Sequence, residues 1–89
     1  MKDSQPYTSI DTVFEMAKKF EITNNIRKLR FFADEMTQQQ LAERTGASRQ
    51  TINAIEAGKY SPTLELAFKI ADAFGLAISD VFEHDVKGE

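Results

Sequence analysis

The sequence has no cysteine, no tryptophan and a single histidine, and only two prolines and four glycines. Without cysteine there can be no disulfide and no thiolate metal site, which fits a reducing compartment, so a cytoplasmic location is expected. His84 stands beside an acidic stretch with no second imidazole to share a metal, and reads as a solvated side chain. No apolar run approaches the roughly 18 residues needed to span a bilayer. The polar start Met1–Tyr7 lacks a signal-peptide core, so no membrane role is expected. A Gly-rich phosphate loop and a nucleophile elbow are also missing. Asp11 and Glu15 share a helix face at i, i+4, but two carboxylates without a pocket do not make an acid–base pair. Neither an enzyme nor a bound cofactor is expected.

What is present suits one small folded unit. Eighty-nine residues that are 42% hydrophobic and 28% charged can bury a single core. No alternating strand pattern is read anywhere, and the expected class is all-α. The net charge of −3 is unevenly spread. Residues 1–23 sum to −1 and residues 63–89 to −4, while residues 24–62 sum to +2. The central third is the only basic one, and an acidic rear would repel a polyanion from the wrong side.

The central stretch Thr37–Gly58, TQQQLAERTGASRQTINAIEAG, reads as two short helices meeting at a tight turn. Thr37 with Gln40 forms a capping box, and Leu41 and Ala42 supply an inner face. Gly46 falls where the chain must break, because a residue without Cβ enters the left-handed region cheaply. Ser48 caps the second helix, whose inner residues are Ile52 and Ile55, and Gly58 ends it. Helices this short need tertiary packing to persist. The second one turns Arg49, Gln50, Asn53 and Ala54 outward, with Thr51 to one side. Such side chains at a helix start suit base edges in a DNA major groove.

This stretch resembles the helix-turn-helix of the phage repressor/Cro (XRE-type) family of transcriptional regulators. The matching residues are Gln38, Leu41, Ala42, Gly46, Ile52, Ile55, Glu56 and Gly58, followed by the helix SPTLELAFKIADAFG. The likeness runs from about Asn24 to Phe82. It implies a five-helix, lambda-repressor-like DNA-binding domain, here with an added N-terminal amphipathic helix. It also implies that Arg30 pairs with Glu56, pinning the first helix to the reading helix, and that Gln38 contacts a phosphate. The connection Asp34-Glu35-Met36 is one residue longer than the common Gly-containing one.

The flanks divide the chain into an extension (1–23), a domain (24–83) and an acidic tail (84–89). In the extension Ile10, Val13, Phe14 and Ala17 make one apolar helical stripe, for an extra helix packed on the domain, a dimerising arm or an inherited upstream stretch. Ile22-Thr23-Asn24 is a short joint. Ile26 and Leu29, with Phe32 or Ala33, face inward from the first domain helix, and Met36 drops into the core. Pro62 opens a helix capped by Ser61 or Thr63, with Leu64, Ala67, Phe68 and Ala71 on one stripe widened by Ile70 and Phe74. Gly75 ends it, and Ser79 caps a last helix, DVFEH. Asp85–Glu89 is expected to be a loose tail.

The expected function is sequence-specific binding of double-stranded operator DNA as a homodimer, with repression by occlusion. Arg49, Gln50 and Asn53 would read bases, with Thr51 on a phosphate or a thymine methyl. Gln38, Ser48, Lys59 and Tyr60 would hold the backbone, and Arg44 is taken as solvated. Val81 and Phe82 are the candidate dimer contacts. The alternative is an antitoxin-type interaction module, whose protein partner binds through the N-terminal helix or the tail.

Overall fold

The computed structural model describes residues 20–86. In chain order it contains β1 (Phe20–Asn24), α1 (Ile26–Phe32), α2 (Gln38–Thr45), α3 (Arg49–Glu56), α4 (Leu64–Phe74), α5 (Ile78–Val81) and β2 (Phe82–Val86). The N-terminal helix expected from the Ile10–Ala17 stripe lies outside the described residues. The five helices of the domain are present, but the chain is not wholly helical. β1 and β2 form a two-stranded antiparallel ribbon with Phe20 opposite Val86 and Asn24 opposite Phe82. The joint at Ile22–Asn24 and the start of the expected tail are therefore paired strands, on both sides of the boundaries drawn from sequence.

The central turn forms as its residues dictate. Thr37 accepts from the Gln40 N–H at 3.0 Å while the Gln40 side chain accepts from the Thr37 N–H at 2.8 Å, completing the capping box. Gly46 ends α2 at φ 79°, and its N–H donates to the Ala42 carbonyl at 2.8 Å. Ser48 accepts from the Thr51 N–H and starts α3. Ala42 is buried, and its small side chain permits a close crossing of α2 and α3. Between α1 and α2 the chain turns through two consecutive left-handed residues, Asp34 at φ 62° and Glu35 at φ 56°. Those two residues do the work of the glycine that the shorter connection would use.

The core is one cluster of Ile26, Met36, Leu41, Ala42, Ile52, Ile55, Ile70, Ala71 and Val81. Each fully buried aliphatic side chain contributes about 1.5–3 kcal/mol relative to exposure. The six bulkiest come from α1, α2, α3, α4 and α5, so every helix is tied to the same centre. Asn24 fastens the corner between β1 and α1: its Nδ2 donates to the Ile55 carbonyl and its Oδ1 accepts from the Ile26 N–H, both at 3.0 Å. Asn25 fastens the other side, its N–H donating to the Val81 carbonyl at 2.8 Å and its Nδ2 to Glu83 at 3.0 Å.

Several inward assignments are corrected. Phe32 is 71% exposed, and Ala33 faces the core instead. Leu64 and Phe68 are exposed, because α4 turns Ala67, Ile70 and Ala71 inward. Thr63, not Ser61, caps α4. α5 starts two residues earlier than Ser79 would place it, at Ile78 after Ala77, and Asp80 reaches back to the Ala77 N–H at 3.3 Å.

Candidate nucleic-acid interface

The face that α3 presents is set by what it buries. Ile52 and Ile55 are sunk in the core. The intervening helical positions are thereby turned away from it, and Arg49, Gln50 and Asn53 are exposed, with Thr51 and Ala54 at the margin. Ser48 does more than cap. Its hydroxyl accepts from the Thr51 N–H at 3.0 Å and donates to Thr51 Oγ1 at 2.9 Å, fixing the Thr51 side chain beside the helix start. Lys59 and Tyr60 lie just beyond α3, both exposed, with the Lys59 N–H closing on the Ala54 carbonyl at 2.9 Å.

Behind this face runs a polar chain joining three helices. Arg30 Nε donates to Glu56 Oε2 at 2.7 Å and Arg30 Nη2 to Glu56 Oε1 at 3.0 Å. Arg30 Nη1 donates to the Met36 carbonyl at 2.8 Å, so one guanidinium holds α3, α1 and the entry to α2. Gln38 Nε2 donates to Glu56 Oε1 at 3.0 Å, and Asn53 Nδ2 donates to Gln38 Oε1 at 3.3 Å. Burial pushes the Glu56 carboxyl up. The hydrogen bonds from Arg30 and Gln38, with the charges of Arg30 and Arg27, outweigh burial and hold it below the ordinary carboxylate range.

The Arg30–Glu56 pair implied by the family resemblance is thus formed. Gln38 has a structural part beside the phosphate contact expected of it. Its side-chain amide is engaged by Glu56 and Asn53, so it orients Asn53 as well as standing at the start of α2. Of the expected base readers, Asn53 is tethered to another helix through Gln38, and Thr51 is held locally by Ser48. The structure also contradicts Val81 as a dimer contact: it is 0% exposed and belongs to the monomer core. Phe82 is half-buried and borders an apolar groove with Ile22, Leu64 and Ile78. Sequence reasoning did not see Asn24 behind the reading helix; its only signal was an asparagine at a helix entry, which reads equally well as a plain cap.

Among the described residues no group of His, Cys, Asp and Glu is arranged to hold a metal ion, and no helix is long and apolar enough to cross a membrane.

Residues 26–81 match the family model described as helix-turn-helix. A helix-turn-helix-type transcriptional regulator of Methanocaldococcus jannaschii is 52% identical over 60 residues, covering 65% of this chain and 91% of the relative. One from Methanothermobacter thermautotrophicus is 54% identical over 54 residues, 60% of this chain and 78% of the relative. The crystal structure of a candidate DNA-binding protein from Bacteroides fragilis superposes with a TM-score of 0.61 at 24% identity, over 70% of this chain and 98% of that one, and supports the fold alone. With the matched segment running from the first residue of α1 to the last of α5, the chain belongs to the XRE-type helix-turn-helix family of transcriptional regulators, which is not a family of enzymes.

Proposed function

We propose that the protein is a cytoplasmic, sequence-specific regulator that binds a palindromic operator as a homodimer and represses by occluding it. The observation that carries this reading is the outward face of α3, where Arg49, Gln50 and Asn53 are exposed on a helix anchored by Ile52 and Ile55. An arginine fork suits guanine O6 and N7, and the Gln50 and Asn53 amides suit adenine N6 and N7. Thr51 lies beside them for a phosphate or a thymine methyl. Gln38, Ser48, Lys59 and Tyr60 flank the face where the DNA backbone would run.

Dimerisation follows from area, since a single reading helix buries too little surface for tight specificity. With Val81 inside the monomer, the groove of Phe82 with the exposed Ile22 and Leu64 is an apolar surface available for pairing among the described residues.

The test is selection of duplexes from a random pool by the full chain. An enriched inverted repeat is expected, with half-sites about 34–36 Å apart or a multiple of that. A pool that stays random after repeated rounds overturns the reading and favours an antitoxin-type module that binds protein.

A further inference from the structure

Between α1 and the α2–α3 pair lies an open recess of about 430 Å³ lined by Arg27, Arg30, Gln38, Asn53, Glu56 and Ala57. Its two arginines are in opposite states. Arg30 is engaged at all three nitrogens by Glu56 and the Met36 carbonyl. Arg27, three residues earlier on α1, is exposed; its charge acts on Glu56 at a distance, but its guanidinium makes no hydrogen bond or close ion pair among the described residues. Glu56 and Arg30 cancel in charge, so the recess keeps the positive charge of Arg27 alone. It opens beside Asn53 on the reading helix and Gln38 at the start of α2, where the helix dipole also favours an anion.

If the helix reads DNA, the univalent anion brought to this place is a phosphodiester of the backbone. We propose that Arg27 binds a backbone phosphate of the operator at this recess. The assignment rests on the DNA-binding reading above and adds to it a contact from outside the α2–α3 pair. A charge on α1 would fix how the whole bundle tilts against the duplex, positioning Asn53 without itself reading a base. Lys28 makes the useful contrast: it borders the adjoining depression with Phe31 and Phe32, whose rim Arg27 and Glu56 share, and does not itself line this recess.

The test uses the full chain and a duplex carrying the selected site, with affinity measured across a series of salt concentrations. Arg27→Ala should weaken binding roughly tenfold at about 0.1 M salt and flatten the salt slope by about one. It should leave sequence preference as in the parent and shift thermal unfolding only slightly, since its charge is the smallest of the influences on Glu56. Arg27→Lys should recover much of the loss, and Lys28→Ala should change neither quantity. A neutral methylphosphonate placed at successive backbone positions should reproduce the loss at one position, and there the two changes should not add. An Arg27→Ala protein with parental affinity and slope, while Asn53→Ala still loses sequence preference, overturns the Arg27 assignment and leaves the DNA reading standing. A parent that binds no duplex overturns both.

Discussion

Arg30 and Glu56 are joined by two hydrogen bonds, at 2.7 and 3.0 Å, with their side chains only 17% and 10% exposed. The pair sets the crossing of α1 on α3, and its residual capacity is used by the Met36 carbonyl and by Gln38. Removing one partner strands the other in a mostly, though not fully, buried site. Arg30→Ala should therefore cost about 2–3 kcal/mol, below the figure for a fully buried pair. Urea unfolding checks this, and a cycle with Glu56→Ala should show strong coupling. A loss under about 0.5 kcal/mol would place the pair with ordinary surface contacts.

The same geometry fixes a pH dependence. The Glu56 carboxyl titrates lower in the folded protein than its ordinary value of 4.5. The folded state thus binds fewer protons at this site than the unfolded one. Its contribution to stability is fully present above pH 4.5 and is lost as pH falls from there through the lowered value. Glu56→Gln abolishes this component. Unfolding free energies measured from neutral pH downward should converge for parent and Glu56→Gln as acid is added. Curves that stay parallel would show that the carboxyl is not perturbed.

The parts legible in the sequence are those encoded locally. Thr37 with Gln40, Gly46, Ser48 and the Ile52/Ile55 spacing each specify a cap, a break or a buried face within a few residues. All of them take the expected form. The ribbon was hidden for the opposite reason. FEITN and FEHDV are five residues each and about sixty apart, and pairing that distant leaves no short-range pattern beyond a weak alternation. Leu64 and Phe68 were misplaced because periodicity gives a stripe but not its phase against a core, and the real phase centres on Ala67, Ile70 and Ala71. The base-reading face was inferable once Ile52 and Ile55 were inside. That Asn53 is oriented by Gln38 was not, since the two come from different helices.

Two positions test how backbone conformation builds the turns. A Cβ added at Gly46 would meet no atom within 4 Å, so Gly46→Ala should be penalised only by its left-handed φ of 79°. The expected cost is about 1 kcal/mol, and less for Gly46→Asn. Glu35 is the converse, a side-chain-bearing residue at φ 56°. Glu35→Gly relieves that conformation but adds unfolded-chain entropy, and the balance should raise stability by about 0.5 kcal/mol. Thermal melts of the variants give both signs. A destabilising Glu35→Gly would mean that this turn carries no conformational strain.

Reading and holding should separate in binding measurements. Gln50 is exposed on the first turn of α3, while Asn53 is held through Gln38. Gln50→Ala should relax preference at one base-pair position by about 1–3 kcal/mol and leave other positions unchanged. Asn53→Ala should relax a different position. Gln38→Ala should partly copy the Asn53→Ala effect, because the Asn53 amide loses its partner, and should also reduce stability by freeing one lone pair of Glu56. Lys59→Ala should weaken all sequences alike and lower the salt slope by about one. Each variant is compared over a panel of single-base substitutions in the selected site, at two salt concentrations. If Gln50→Ala and Asn53→Ala weaken every sequence equally, α3 holds the backbone and the bases are read by other residues.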